Sequence, residues 1–366
     1  MPMKNEFFQR RSSDILMRTS TGDTDRRFIN VLALCPSMAR LLVVGGAGYI
    51  GNIIARHLRQ AGHDIIVLDN LSLGHREGIT DGMTLIEGDL LERNVLAETF
   101  SRHEIDAVLH FAARSLVGES TKDPDGYYEN NVVGTLRLLQ AMHVAKVDKI
   151  VFSSSAAVYG EPEQVPITEE ARTSPTNPYG QTKVAIEGML HDFGRAYGLR
   201  YVSLRYFNAA GAGLGWGEWH EHETHLIPLV LATALKERDE IVIFGDDYDT
   251  PDGSCIRDYI DILDLAEAHA LAVDRLLAGG ESLVCNLGTS KGSSVKEVID
   301  MCKEVSGVDF PVRIGKRRAG DPARLVASKE KAKQELGWSP KRSLRDTIES
   351  AWAWQQELNS RKNIRA

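Results

Sequence analysis

The stretch Leu41-Leu42-Val43-Val44-Gly45-Gly46-Ala47-Gly48-Tyr49-Ile50-Gly51 decides the fold. Its first four residues form an apolar run that lacks polar alternation, as expected for a strand buried on both faces. Three glycines, Gly45, Gly48 and Gly51, follow at a spacing of three. Apolar residues at helical spacing then run from Ile50 to Gln60. A tight turn between strand and helix needs a residue free to take positive φ, and a pyrophosphate needs the backbone to come close. The helix N-terminus presents unpaired N–H groups and a partial positive charge to the phosphates. Glycines also mark plain turns. Their place between a first strand and a first helix is what points to a dinucleotide loop.

Working outward, the next apolar run, Ile65–Leu68, ends on Asp69 and Asn70. A carboxylate roughly 20 residues past the glycines accepts hydrogen bonds from both adenosine ribose hydroxyls and repels a 2′-phosphate, so NAD is expected over NADP. Asp89, after Ile86-Glu87-Gly88, ends a third run and is placed to meet the adenine edge. Further runs at Ala107–Phe111, Lys149–Phe152 and Tyr201–Tyr206 alternate with helical patterns at Asn94–Arg102, Asn131–Ala145 and Tyr179–Tyr197. Strand and helix repeated in this way give an α/β fold, a Rossmann-like doubly wound parallel sheet.

The texture changes after Asn208, where Gly, Trp, His and acidic residues crowd Gly211–Thr224. We therefore expect an NAD-binding domain over 38–207 and a smaller α/β substrate-binding domain over 208–366. A last helix, Leu344–Leu358, carries Leu344, Ile348, Trp352 and Leu358 for packing. Residues 1–37 are polar, rich in Arg, Ser and Thr, and without periodicity, so they read as a disordered N-terminal extension. Glu6, Asp14, Asp23 and Asp25 argue against a transit peptide.

The formal net charge is −8 with no basic run, which disfavours nucleic acid and anionic membranes as partners. The four cysteines form no CxxC pair, so they read as reduced thiols of a cytoplasmic protein. No apolar stretch approaches the roughly 18 residues of a membrane span.

The chemistry is expected at Asn177-Pro178-Tyr179-Gly180-Gln181-Thr182-Lys183. Asn177 suits an N-cap and Pro178 the first helical position. Tyr179 and Lys183 then share one helix face. A phenol has a pKa of about 10, and acting as a base near neutrality needs about 4 kcal/mol of differential stabilisation. A neighbouring ammonium, a positive nicotinamide ring and the helix N-terminus all push that way. Ser155, ending Phe152-Ser153-Ser154-Ser155, bridges the phenol to a substrate oxygen, while Ser153 and Ser154 read as structural or cofactor contacts.

The segments VVGGAGYIG, VLDNLS, VLHFAA, YYENNVVGT, VFSSSAAVYG, NPYGQTK, LRYFNAAGA, ETHLIPL, FGDDYDTPDGSCIRDYI and RRAGDPA carry a resemblance that covers nearly everything from Met38 onward. The chain resembles the extended short-chain dehydrogenase/reductase family, and within it the UDP-hexose 4-epimerase branch. The resemblance implies tightly bound NAD and interconversion of UDP-glucose and UDP-galactose through a transient 4-keto sugar. It places Gly45, Gly48, Tyr49, Ile50, Gly51, Asp69, Asn70, Asp89, Leu90, Phe111, Ala112, Asn130, Lys183 and Phe207 at NAD. Ser155 and Tyr179, with Lys183, match the catalytic set. Asn208, Leu226, Phe244, Arg257, Arg318 and Asp321 match positions that hold UDP, in keeping with arginines pairing a diphosphate bidentately. Leu325 resembles the residue bounding the sugar pocket; its intermediate size leaves UDP-N-acetylhexosamines and UDP-pentoses open. A homodimer through Asn131–Ala145 and Tyr179–Tyr197 is expected.

Departures from the family pattern fall at Val44, Ser115 and Asp261, and at Trp219 and His222 in the acidic loop. The loop histidines His220, His222 and His225 suggest a metal that the chemistry does not need, so none is expected. A 4,6-dehydratase would need an acid–base pair after Ser155, where Ala156 and Ala157 stand. A dinucleotide sensor without catalysis has no use for the Tyr179, Lys183 and Ser155 set.

Overall fold

The computed structural model describes residues 38–318 and 321–365. The expected N-terminal extension lies outside the described residues. Seven parallel strands form the central sheet: β1 (Arg40–Val44), β2 (Asp64–Asp69), β3 (Met83–Glu87), β4 (Ala107–His110), β5 (Lys149–Ser155), β6 (Arg200–Tyr206) and β7 (Leu283–Leu287). Their spatial order is 3-2-1-4-5-6-7. The order reverses between β1 and β4, and in open parallel sheets that switch point opens the ligand crevice.

The apolar runs make buried strands because both of their faces are covered. Leu41, Val43, Ile65, Val67 and Leu109 belong to one core, packed with Ile53, Ile54 and Leu58 of helix α1 (Tyr49–Gln60). The alternate residues Leu42, Val44, Ile66, Leu68 and Val108 belong to the other. That second core is completed by Leu138 and Met142 of helix α3 (Gly134–Ala145) and by Ile186 and Leu190 of helix α4 (Pro178–Tyr197). Helix α2 (Arg93–Arg102) lies beside α3. Period-two alternation sends neighbouring residues to opposite faces, and both faces here are dry.

The expected helix over Asn131–Ala145 is regular only from Gly134. Tyr128–Val133 form a π-helical turn, a local widening that often sits at functional sites. Asn131 explains it. This buried amide accepts from the Arg114 N–H at 2.9 Å and donates to the Arg114 carbonyl and to Thr182 Oγ1. The turn thereby ties the loop after β4 to α4.

A boundary near residue 207 does not separate the layers. Helix α6 (Ile262–Leu277) packs Leu265, Ala268, Ala272 and Leu276 into the first core, and β7 pairs with β6. A separate core joins α5 (Leu226–Ala234), α7 (Val295–Ser306) and the C-terminal helix α8 (Leu344–Arg365) around Val230, Leu231, Ile299 and Ile348. Asp261, an unexpected residue in its motif, caps α6: its carboxylate accepts from Leu263 N at 2.8 Å and from Thr347 Oγ1 at 3.0 Å.

A buried polar hub holds α4 to the sheet. Glu187 pairs with Arg205 at 2.5 Å and accepts from Ser154 at 2.7 Å and Ser203 at 2.8 Å. Removing one member strands a buried guanidinium. Glu187→Gln is expected to lower unfolding free energy by about 3 kcal/mol or more, read from urea denaturation.

Candidate active site

The loops at the carboxyl ends of β1, β2, β4, β5 and β6 open onto three cavities that share walls. The first, about 120 Å³, is lined by Gly45, Gly48, Asp69, Asn70, Asp89, Leu90, Phe111, Ala112 and Asn130. The second, about 290 Å³, shares Gly45, Gly48 and Phe111 with it and adds Tyr49, Ile50, Gly51, Ser155, Tyr179 and Phe207. The third, about 380 Å³, is lined by Leu226, Phe244, Arg257, Arg318 and Asp321. It shares Asn208, Ala209, Glu218 and His225 with the second. The three make one continuous cleft.

The glycine loop suits a pyrophosphate. Gly45 has φ +79°, and a Cβ there would meet Ala112 N at 2.5 Å. A Cβ on Gly51 would meet the Gly45 carbonyl at 2.3 Å. Both glycines are demanded by the fold itself. Gly48 is different. A Cβ there has only the Gly45 carbonyl nearby, at 3.5 Å, and the residue lines two cavities. Gly48 is also the N-cap of α1, with no side-chain cap and no acidic residue in the first turn. The helix N-terminus is left to an anion.

Asp69 closes this loop from the other side, accepting from Ala47 N at 2.9 Å and Leu71 N at 2.8 Å. Burial raises its carboxyl above the usual range while those backbone donors pull it down. Asn70 donates to Asp89 at 2.7 Å, so the two polar candidates act as one unit. Arg114 also lines this cavity, although its guanidinium is held by Glu119 and Asp123 at 2.6 and 2.7 Å. Sequence reading missed it, because a single arginine in a loop carries no signal without its partners.

On the chemical side, Asn177 caps α4 as expected, accepting from Gly180 N at 2.9 Å. Lys183 is only 2% exposed. Its ammonium donates to the Ser153 carbonyl at 2.7 Å and lies 5.7 Å from the Tyr179 ring centroid. It forms the floor beneath the cleft and does not line it. Burial lowers its pKa to about 7, against a smaller opposing pull from Glu187. The phenol departs from expectation. Burial raises the Tyr179 pKa, and the Ser155 hydroxyl hydrogen-bonded to it lowers it only in part. Desolvation opposes charging either group alone, so the chain by itself keeps the phenol protonated at neutral pH. Ser153 bonds Tyr206 and Ser154 bonds Glu187, both structural roles.

In the third cavity Arg257 is paired with Asp321, and Arg318 lies 4.0 Å over the Phe244 ring. Leu325 does not line the cleft. It packs against the cluster of Val158, Tyr159 and Ile167, and its short strand pairs with Ile256–Arg257. The same cluster includes Phe207, which lines the second cavity, and Leu325 is the register partner of Arg257, which lines the third. Glu218, Thr224 and His225 do line the third cavity and were not anticipated as contacts.

Residues 41–288 match the NAD dependent epimerase/dehydratase family. The chain belongs to that family and is an NAD-dependent isomerase of the epimerase kind. Across nearly all of its described length it is similar to UDP-glucose 4-epimerases. It is 55% identical to that of Halalkalibacterium halodurans, over 87% of this chain and 96% of the relative. It superposes on the enzyme from Brucella ovis in complex with NAD, with a TM-score of 0.84, 46% identity, and coverage of 86% of this chain and 98% of that one. The enzyme from Bifidobacterium longum in complex with NAD+ and UDP gives a TM-score of 0.82 at 39% identity, over 87% and 98% of the two chains.

Gly48→Val separates cofactor binding from folding. Its backbone, at φ −77° and ψ 172°, accepts a β-branched residue. The variant is expected to keep the wild-type Tm without cofactor and to lose NAD affinity by at least about tenfold, or about 1.4 kcal/mol, measured by calorimetric titration.

Proposed function

We propose that the chain interconverts UDP-glucose and UDP-galactose by inverting the C4 hydroxyl. One observation carries the reading. The cavity holding Tyr179 and Ser155 shares walls with the glycine-loop cavity on one side and with the Arg257 and Arg318 cavity on the other. A dinucleotide, a reacting sugar and a nucleotide anchor then fit end to end.

In this scheme Gly45, Gly48 and Asp69 hold NAD, while Arg257 and Arg318 hold the diphosphate of UDP. Tyr179 accepts the C4 hydroxyl proton, directly or through Ser155, and later returns it. NAD, when bound, supplies a hydride acceptor, then the matching donor, and a positive charge beside the phenol. That charge and the Lys183 ammonium together favour the phenolate that burial alone opposes. Between the two half-reactions the anchored 4-keto sugar presents its other face. Nucleotide held tightly and sugar held loosely is the physical requirement, and charged groups concentrated in the third cavity support it. Among the described residues no helix is long and apolar enough to cross a membrane. The described cysteines, Cys255, Cys285 and Cys302, are free thiols, which supports a cytoplasmic setting.

Wild-type protein incubated with UDP-galactose is expected to yield UDP-glucose, with UDP-N-acetylgalactosamine run in parallel to define the sugar. Tyr179→Phe should lower turnover by about 10³-fold with NAD still co-purifying. Full activity in the variant removes Tyr179 from the chemistry.

The reading also includes a homodimer through α3 and α4. Val144 and Tyr197, near the ends of these helices, are 82% and 56% exposed and available to a second copy. Gel filtration with light scattering is expected to give twice the chain mass; a monomer mass excludes the dimer.

A further inference from the structure

The segment between β6 and α5 contains Glu218, His220, Glu223 and His225. The fold brings one ligand atom from each of these within 4.8 Å of every other. His225 Nδ1 lies 2.6 Å from Glu218 and 3.0 Å from Glu223. His220 Nδ1 lies 3.1 Å from Glu223 and 3.5 Å from Glu218. Each imidazole thus turns the same nitrogen toward both carboxylates. A single N–H donates well along one line only, so without a cation the two imidazoles serve one carboxylate each, and Glu223 also accepts from Thr224 N and His225 N. The same four side chains also present one ligand atom each to a common centre. In a tetrahedral site with bonds of about 2.0–2.1 Å, neighbouring ligand atoms stand about 3.3 Å apart, close to three of these four separations.

We propose that Glu218, His220, Glu223 and His225 form a binding site for one divalent transition-metal cation of the zinc type. The donor chemistry fits: two imidazoles and two carboxylates, with no thiolate, suit Zn2+, and the two carboxylates balance its charge. Four protein ligands close the coordination sphere, which marks a structural site and not one that activates water. The frame is firm on one side. Glu218 is 5% exposed, and its carbonyl accepts from Trp354 Nε1 at 2.9 Å. His222, between the ligands, is outside the cluster.

The position gives the cation a task. Glu218 and His225 line both the cavity of Tyr179 and that of Arg257, so the site forms the wall between them. Trp219, inside the same segment, stacks on His75 at 3.8 Å and 8°, and its carbonyl meets His75 Nε2 at 3.1 Å. His75 belongs to the loop that follows Asp69 beside the first cavity. The cation would therefore brace the sugar wall against the cofactor loop. The proposal does not depend on which sugar the enzyme turns over.

The test uses the full, untagged chain, treated with chelator and dialysed. With Zn2+ added, mass spectrometry of the gel-filtered protein is expected to find about one zinc per chain, with a rise of a few degrees in Tm. Co2+ in place of zinc should give the intense visible bands of a tetrahedral ion. His220→Ala should abolish all three signals with the far-ultraviolet circular dichroism unchanged; if that variant fails to fold, Glu223→Gln replaces it. Zinc content far below one per chain, metal retained in the folded variant, or displacement by equimolar Mg2+ would each overturn the site.

Discussion

Desolvation is the constraint on which the rest depends. Tyr179, partly buried, and Lys183, fully buried, stand on one helix against a sheet end where desolvation opposes the charged form of each. Burial raises the phenol and lowers the ammonium, so each is poised toward its neutral form. A site built this way responds steeply to any charge brought into it, because the dielectric that penalises an isolated ion also strengthens its attraction to a partner. The proposed base is thus silent in the protein by itself and becomes a base only within the assembled complex.

Much of the surrounding structure keeps that pocket in place. Lys183 donates to the Ser153 carbonyl and lies 4.8 Å from the Phe152 ring centroid, and Ser153 is in turn fixed by Tyr206. Glu187, one turn further along α4, collects Ser154, Ser203 and Arg205. Asn131 ties the same helix, through Thr182, to the loop after β4. These contacts tie the helix bearing the phenol to β5, β6 and the π-helical turn.

The sheet was legible because its strands are apolar without alternation, and the inner strands β1, β2, β4 and β5 proved buried on both faces. The glycine loop, Asp69, and the Tyr179 and Lys183 spacing were legible because each is local and each has a stereochemical reason. Other features were not, for reasons of distance. The helix start at Gly134 was misread because the π-helical turn keeps helical apolar spacing while meeting a need, at Asn131, set by residues 17 and 51 positions away. Leu325 was assigned by motif position, and its packing with Val158, Tyr159 and Phe207 was set by strand pairing with Ile256–Arg257, which no local spacing reveals. The phenol's pKa was argued from neighbours alone, and burial, which no spacing reveals, proved the larger influence. The loop histidines suggested a metal without a chemical need for one, and only folding shows which two of the three converge with Glu218 and Glu223.

The last strand of the sheet has a consequence for synthesis. β6 ends at Tyr206, and the strand that pairs with its outer edge begins at Leu283. At about 5–20 residues per second, a ribosome leaves that edge uncovered for several seconds while the intervening stretch emerges. An apolar strand with open backbone groups is a template for aggregation during that interval. The newborn chain is most vulnerable after its nucleotide half is complete, and its demand for chaperones should peak there.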